Sequence, residues 1–424
     1  MIDIFLNFFK SDAIATTGKY LLIILPVALP LMLIYAWWVI RFRWVTMKFV
    51  EAQKACLLEI KLPKEITKSP AAMEIFFSHL NPGGASNFGE AFIDGKTRPW
   101  FSCEIVSTGG EVRFFVWCSQ AKFRNIVEAQ LYAQYPNLEI FEAEDYTKDF
   151  YFDPEKYSMY GLQYKLTKED PFPIKTYIDY GLDEDQKDEY KIDPITSVVE
   201  YLGSLKKGEN AWIQILLQKH EKEEIFHGNI GKVKDLKAEI ADEIDKIKKS
   251  TVPEGDDKTT MKFPNPTKGQ QAVIAALERS ATKTPYDCMI RSIYIPEKNS
   301  FVPINIAGMI GSLKQYGSVN LNGFKPGLLS DVADWKKDWG RIFPFYQKML
   351  DSDIASTKKN LLYAYKMRSF FQYPYKNYGK NKPFVLTTEE LATIFHFPSG
   401  IVSQTPTLQR VGSKKSEAPS NLPI

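Results

Sequence analysis

Residues 100–118 read WFSCEIVSTGGEVRFFVWC, and this stretch decides the fold class. Two apolar runs flank Thr108-Gly109-Gly110, a turn signal of the kind that joins antiparallel strands. Phe101, Cys103 and Ile105 alternate in the first run, and Val112, Phe114 and Val116 in the second, the period of strands with a buried face. Upstream, 56–62 reads as another strand, and 70–80 has helical spacing at Ala72, Ile75, Phe76 and Leu80. The intervening 81–98 is rich in Gly, Asn and Pro and reads as a loop. Downstream, a helix over 122–135 carries Phe123, Ile126, Val127, Gln130 and Leu131, Pro136 ends it, and 138–143 is a strand. The order β-α-β-β-α-β is the split motif of ferredoxin-like folds, an antiparallel sheet covered by helices on one face.

The order recurs further on. Residues 160–166, 211–218, 286–296 and the short 317–321 read as strands, with helices over 194–205, opened by Pro194, and over 301–315. The chain is therefore expected to be α+β, with one ferredoxin-like domain at 56–150 and a second at 151–385. An insertion at 219–284 interrupts the second domain. In it, Ile230, Val233, Leu236, Ile240, Ile244 and Ile247 step by three and four on a charged background, the seam of an amphipathic helix. That seam pairs either with a partner or with a second helix at 268–280; the internal pairing is preferred, with 250–268 as the joining loop. Thr387-Thr388-Glu389-Glu390 is a capping box for a helix at 389–395, stopped by Pro398. Residues 400–424 are polar, proline-punctuated and basic (Arg410, Lys414, Lys415), so 386–424 reads as a short helix and a linker tail from which a further segment is expected.

The opposite end has a different character. YLLIILPVALPLMLIYAWWVI at residues 20–40 is 21 residues without a charge, and about 20 are needed to cross a bilayer core. The expected organisation is a leader at 1–19, one transmembrane helix at 20–42 and a helical stalk at 43–55. Pro26 and Pro30 are tolerated in a spanning helix. The run exceeds a signal-peptide core and no small-residue cleavage site follows it. The leader either lies along the outer interface or is a short disordered start. Trp37, Trp38, Arg41, Arg43 and Trp44 suit a membrane interface, and Arg41, Arg43 and Lys48 outweigh Lys10 and Lys19, which places the C-terminal region in the cytoplasm.

With 424 residues the chain exceeds one ordinary domain. A hydrophobic share of 44% is enough for real cores, and 54 basic against 51 acidic residues provide no strong field towards nucleic acid. Cys56, Cys103, Cys118 and Cys288 form no CxxC pair and read as buried free thiols of a reducing compartment. No GxxxxGK[ST] or GxSxG occurs, and Thr17-Gly18-Lys19 lacks the upstream glycine of a phosphate cradle. His220 and His227, seven apart, read as solvated surface rather than metal ligands, His79 and His396 as packed side chains, and Glu142, Glu144 and Asp145 as a solvated edge. No catalytic, cofactor-binding or metal-binding residue is assigned. The lysine- and aromatic-rich stretch 363–382, with Lys366, Arg368, Tyr375, Lys376, Lys380 and Lys382, is the candidate surface for nucleic acid or a partner. Lysines snorkelling over packed tyrosines give the same composition, and that reading is favoured over direct nucleic-acid contact.

Three phrases together carry a resemblance: LLEIKLPKEITKSPAAMEIFFSHL (57–80), SCEIVSTGGEVRFFVWCSQAKFRNIVEAQLYAQYPNLEIFEAEDY (102–146) and LTTEELATIFHFPSGIVSQTPTLQRVGSKKSEAPSNLP (386–423). The chain resembles the N-terminal membrane-anchored region of type IV secretion or conjugation-like, coupling-protein-type ATPases of candidate-phylum bacteria. Taken with the uncharged anchor, the linker-like tail and the missing GxxxxGK[ST], the resemblance leads to the expectation of a bacterial cytoplasmic membrane protein without enzymatic activity that recruits or orients such an ATPase. In relatives of this type the tail phrase precedes a motor domain with a P-loop. Here either the motor is a separate polypeptide, a P-loop ATPase partner, or this copy is an assembly subunit without one. The alternative is a structural subunit of an envelope secretion or pilus complex, which requires homo-oligomerisation.

Overall fold

A long apolar helix and an antiparallel sheet covered on both faces make up this mixed α/β protein. The computed structural model describes residues 12–63, 66, 68–80, 87–148, 150–183, 192–221, 223–226, 229–232, 235–250, 265–331, 344–398 and 410–411. They fall into two compact units, one of 12–52, 87–97 and 223–232, the other holding the rest.

In the first unit, α1 (Asp12–Ala52) runs unbroken through Pro26 and Pro30. No glycine or proline follows Pro30 within it, so the expected division into span and stalk is one continuous helix. Ile24, Leu25, Val27, Leu29, Leu31, Met32, Leu33 and Ile34 are all exposed. At about 1.5 Å per residue the uncharged 20–40 segment covers roughly 30 Å, the thickness of a bilayer core. The helix is thus long and apolar enough to span a membrane.

The second unit begins with β1 (Cys56–Pro63), α2 (Ala71–His79), β2 (Trp100–Thr108), β3 (Glu111–Cys118), α3 (Arg124–Gln134) and β4 (Glu139–Glu142). Then come β5 (Tyr160–Leu166), α4 (Pro194–Gly203) and β6 (Glu209–Lys219). The insertion supplies β7 (Glu223–Phe226) and β8 (Asn229–Lys232), which belong to the first unit, followed by α5 (Leu236–Ser250) and α6 (Lys268–Ala281). The chain continues with β9 (Pro285–Pro296), α7 (Ile304–Gly311), β10 (Phe324–Leu329), α8 (Pro344–Lys366), β11 (Phe384–Thr387), α9 (Thr388–Ile394) and β12 (Arg410–Val411).

Strand order in the first half is β4-β1-β3-β2 and in the second β10-β5-β9-β6, every neighbour antiparallel. The halves join where β2 lies antiparallel to β6, Trp100 opposite Gln218 through Thr108 opposite Asn210. β11 adds to β9, and β12 to β1 in parallel, making one ten-stranded sheet. The sheet therefore runs across the boundary expected near residue 150.

One face packs on helices, as the alternation required. Leu58, Ile60, Phe101, Cys103, Phe114, Val116, Ile213, Ile215 and Ile290 meet Met73, Phe76, Val127, Leu131, Val198 and Leu202 in one core. The other face is buried too. There Trp100, Val106, Trp117, Trp212 and Met289 are covered in part by α8, a helix the sequence reading passes over. Its Leu361 comes so close to β5 that a Cβ on Gly161 would lie 2.4 Å from Leu361 Cδ2.

Three expectations are corrected. The short strand expected at 317–321 is instead β10, because buried Asn322 accepts from the backbone N–H of Lys168 and Gly323 and donates to the carbonyls of Glu169 and Phe172, holding that stretch as a loop. Pro326 and Gly327 are tolerated in β10 because it is an edge strand with an irregular register at that point. The helical seam starts at Leu236, not Ile230: Ile230 pairs with Ile225 in the β7–β8 hairpin, and Gly228 and Gly231 disfavour helix on either side; Val233 lies outside the described residues. Leu236, Ile240 and Ile244 do pack on Ile274 and Leu277 of α6, the internal pairing. Finally, the short helix expected at 389–395 forms as α9 but is not set apart from the preceding domain: it is buried along its whole length, and Phe395 and Phe397 pack on Phe114.

The β2–β3 turn is tightly constrained. Gly109 and Gly110 are its two central residues, at φ +61° and +92°, the sign a type I′ hairpin demands. A Cβ on Gly110 would stand 2.4 Å from the Leu205 carbonyl oxygen. Gly110→Ala is expected to destabilise the protein by about 1–3 kcal/mol through strain at that φ, read as a lowered midpoint in thermal unfolding.

Candidate functional site

Polar residues recur at one level of otherwise apolar strands: Glu104 in β2, Gln214 in β6, Arg291 in β9 and Gln163 in β5. The register sets them side by side, Glu104 opposite Gln214, Gln214 opposite Arg291 and Arg291 opposite Gln163. All four are fully buried, on the face turned away from the α2–α4 layer. A charge removed from water in this way is tolerated only if it is paired.

Glu104 is saturated. Its Oε1 accepts from Ser102 Oγ at 2.7 Å, Gln214 Nε2 at 2.9 Å and Arg368 Nε at 3.0 Å. Its Oε2 accepts from Tyr146 OH at 2.9 Å and Arg368 Nη2 at 3.1 Å. Arg368 is 1% exposed, donates also to Asp145, and has Trp117 and Tyr146 on its guanidinium plane. Burial pulls the Asp145 carboxyl upward, yet the Arg368 charge and hydrogen bonds hold it below the usual carboxylate range. Burial pushes the Tyr146 and Tyr365 hydroxyls, 2.8 Å apart, well up.

The backbone confirms the demand for this side chain. Arg368 has φ +46° just past the end of α8, where Ser369 N–H donates to Ala364 C=O and Arg368 N–H to Tyr365 C=O. Glycine normally fills that helix-terminating position. Arginine is held there by the Glu104 pair. Further along the same segment Ser369 C=O accepts from Arg291 Nη2 at 2.9 Å, Arg368 C=O from Trp100 Nε1 at 2.9 Å, and Asn381 donates to Gln163 at 2.8 Å. Arg291 is less well served: its Nε and Nη1 have no partner among the described residues, and burial pulls its pKa down to about 9. The arrangement is a closed pin that fastens residues 366–381 onto the seam between the half-sheets.

A second polar group gathers around α9. The Thr387–Glu390 capping box forms as the sequence implied. Glu389 accepts from Arg279 Nε at 2.9 Å and Thr176 Oγ1 at 2.6 Å, and Lys283 bridges Glu74 at 2.6 Å. Glu390 accepts from the N–H of Ile174 and Thr387, both at 2.8 Å. Burial outweighs those bonds and pushes Glu390 up to about 7. Next to this group a cavity of about 240 Å³ is lined by His220, Asp235, Lys237, Ser280 and Lys283. His220, expected on a solvated surface, is instead a buried side chain 2.6 Å from Asp287. His396 is packed as expected and bonded to Asp193 at 2.7 Å.

In the first unit, Trp38 stacks on Phe92 with ring centroids 4.0 Å apart, and Phe88 stacks on both. The short π-helical turn Glu90–Asp94 that carries Phe92 lies in the segment expected to be loop. It ends at Gly95, whose Cβ would fall 2.2 Å from the Val45 carbonyl oxygen. Trp37, Arg43 and Trp44 are exposed, and Arg41 and Lys48 lie over the Trp44 ring.

Of the surface residues expected along 363–382, Arg368 is corrected to the core. Lys366 lies over the Tyr151 ring and donates to Phe150 C=O. Tyr375 and Lys376 are half-buried, Lys382 is exposed, and the Lys380 side chain lies outside the described residues. Packing explains much of this composition, as snorkelling lysines do. The sequence reading missed Glu104, Gln214 and Arg291, although each is a large polar side chain set in a largely apolar strand and so carries its own demand for a partner.

An apolar helix fit to span a membrane and a large antiparallel sheet thus define an α/β protein with a candidate membrane anchor. The chain belongs to the family described as a domain of unknown function (DUF8128), which matches residues 50–410. No curated protein matches the sequence.

Two outcomes separate the buried arginines. Arg368→Ala leaves Glu104 buried and unpaired and is expected to cost about 3–5 kcal/mol, whereas Arg291→Met is expected to be neutral or stabilising, both read by thermal unfolding. Glu390 titrates near 4.5 in the unfolded chain and near 7 when folded. Between those values the folded state holds a proton that the unfolded state lacks, so this group's contribution is full below about 4.5 and is lost as pH rises through about 7. Glu390→Gln is expected to remove that decline, visible as a smaller drop in unfolding midpoint between pH 5 and pH 8 than in the wild type.

Proposed function

We propose that this protein is a non-enzymatic, single-pass module of a bacterial cytoplasmic membrane. Its sheet unit, on the cytoplasmic side, recruits or orients a P-loop ATPase of the type IV secretion or conjugative DNA-transfer kind. The observation that carries the reading is α1: its 21 uncharged residues are followed by Trp37, Trp38, Arg41, Arg43 and Trp44, the order of apolar core and cationic, aromatic interface that a span requires. The excess of Arg41, Arg43 and Lys48 over Lys10 and Lys19 supports a cytoplasmic sheet unit.

The sheet is read as two ferredoxin-like units fused through β2 and β6. The repeated order β4-β1-β3-β2 and β10-β5-β9-β6 supports that reading. A duplicated, doubly covered sheet is a rigid platform suited to positioning a partner. Its buried charges are largely consumed by one another, as at Glu104 and Arg368. The sequence carries no GxxxxGK[ST] cradle, so on this reading the energy source lies outside these residues. The resemblance of 57–80, 102–146 and 386–423 to the region preceding coupling-protein-type motors names the kind of ATPase.

The test is isolation of the full chain from its native membrane. The expected result is retention in the membrane after an alkaline carbonate wash, protease access to the sheet unit only from the cytoplasmic face, and co-isolation of a P-loop ATPase. Release by the wash would overturn the anchor. Recovery solely as a homo-oligomer without an ATPase would favour the structural subunit of an envelope complex instead.

A further inference from the structure

Cys56 is the first residue of β1 and Cys118 the last of β3, and the register places them directly opposite each other. Both side chains point into the helix-covered core and hydrogen-bond to one another. Directly opposed residues of antiparallel strands have Cα atoms about 4.5–5.5 Å apart, inside the range of roughly 4.4–6.8 Å that a disulfide closes without backbone movement. Cys103 faces the same core from β2 but is opposite Val116, and Cys288 lies in β9 opposite Leu217 and Phe384. Geometry therefore selects one pair out of the four thiols.

We infer that Cys56 and Cys118 form a dithiol that is reversibly oxidised to a cross-strand disulfide by low-molecular-weight disulfides. Cys56 is the attacking sulfur. It lies at the end of the strand, 4% exposed where Cys118 is fully buried. The hydrogen bond from Cys118 and, more weakly, the Arg124 charge draw its pKa down against the effect of burial, whereas the Cys118 thiol is pushed well up. The lower-pKa, more accessible thiol is the one that reacts.

In the first step the Cys56 thiolate attacks one sulfur of RSSR, forming Cys56–S–S–R and releasing RS⁻. In the second, the Cys118 sulfur attacks Cys56 Sγ, forming the Cys56–Cys118 bond and expelling the other RS⁻. The two thiol protons end on the two RSH, so two electrons pass from the protein to one disulfide. A thiol reductant reverses the exchange. The cross-link ties the start of β1 to the end of β3.

The experiment uses the full chain in detergent micelles under native conditions, incubated with oxidised glutathione, then alkylated and mapped by peptide mass spectrometry without reduction. The expected product is a Cys56–Cys118 peptide pair lacking two hydrogens, with Cys103 and Cys288 alkylated as free thiols. Cys118→Ser is expected to stop at a glutathione adduct on Cys56, and Cys56→Ser to leave Cys118 unmodified, with circular dichroism establishing that both variants fold. A disulfide that maps to Cys103 or Cys288 would overturn the inference. So would four thiols that all stay reduced in the folded wild type, or a Cys118→Ser variant that folds and takes no adduct.

Discussion

The Glu104–Arg368 ion pair is the interaction on which the arrangement of the sheet unit depends. Glu104 lies on β2, the strand that joins the two half-sheets, and Arg368 lies 264 residues later in the segment after α8. A buried pair of this kind is weak as a source of net stability, because desolvation offsets most of the Coulombic gain. What it provides is specificity. The placement of residues 366–381 that satisfies Glu104 also aligns the carbonyls of Arg368 and Ser369 with Trp100 and Arg291.

Apolar contact alone would not select that placement. The face under α8 is lined by Trp117, Trp212, Val106 and Met289, a surface on which an apolar helix could settle at several angles. The polar row Glu104, Gln214, Arg291, Gln163 removes that freedom, since each misplacement leaves a buried donor or acceptor open. Arg368 at positive φ shows the strength of the requirement: the backbone position that suits glycine is given to the side chain that the carboxylate needs. The row is incompletely satisfied: among the described residues Gln163 Nε2, Gln214 Oε1 and the Nε and Nη1 of Arg291 have no partner, and at Arg291 the covering segment supplies one carbonyl for three donor groups.

The helix-covered face follows a simpler rule. Alternating Leu, Ile, Phe and Cys side chains meet helical stripes spaced by three and four, and most of the expected elements recur within a residue or two, the exceptions being the helix expected over 301–315, which covers only Ile304–Gly311, and the strand expected at 317–321. The proposed dithiol sits in this face. It arises because the register of β1 against β3 puts two small, buried sulfur side chains in contact, a relation invisible in a sequence where they are 62 positions apart.

What local chemistry determines was legible in the residues themselves. The Gly109-Gly110 turn, the strand and helix periods of each half, the capping box at Thr387 and the uncharged run at 20–40 depend on neighbours within a few positions, and a single chain displays those directly. What rests on contacts between distant segments was not. The continuity of the sheet through β2 and β6, the burial of α9 and the withdrawal of Arg368 from the surface into the core each depend on a partner more than one hundred residues away. Arg368 read as surface because a lysine-rich neighbourhood normally stays in water, and only the tertiary structure supplied the carboxylate that makes its burial favourable.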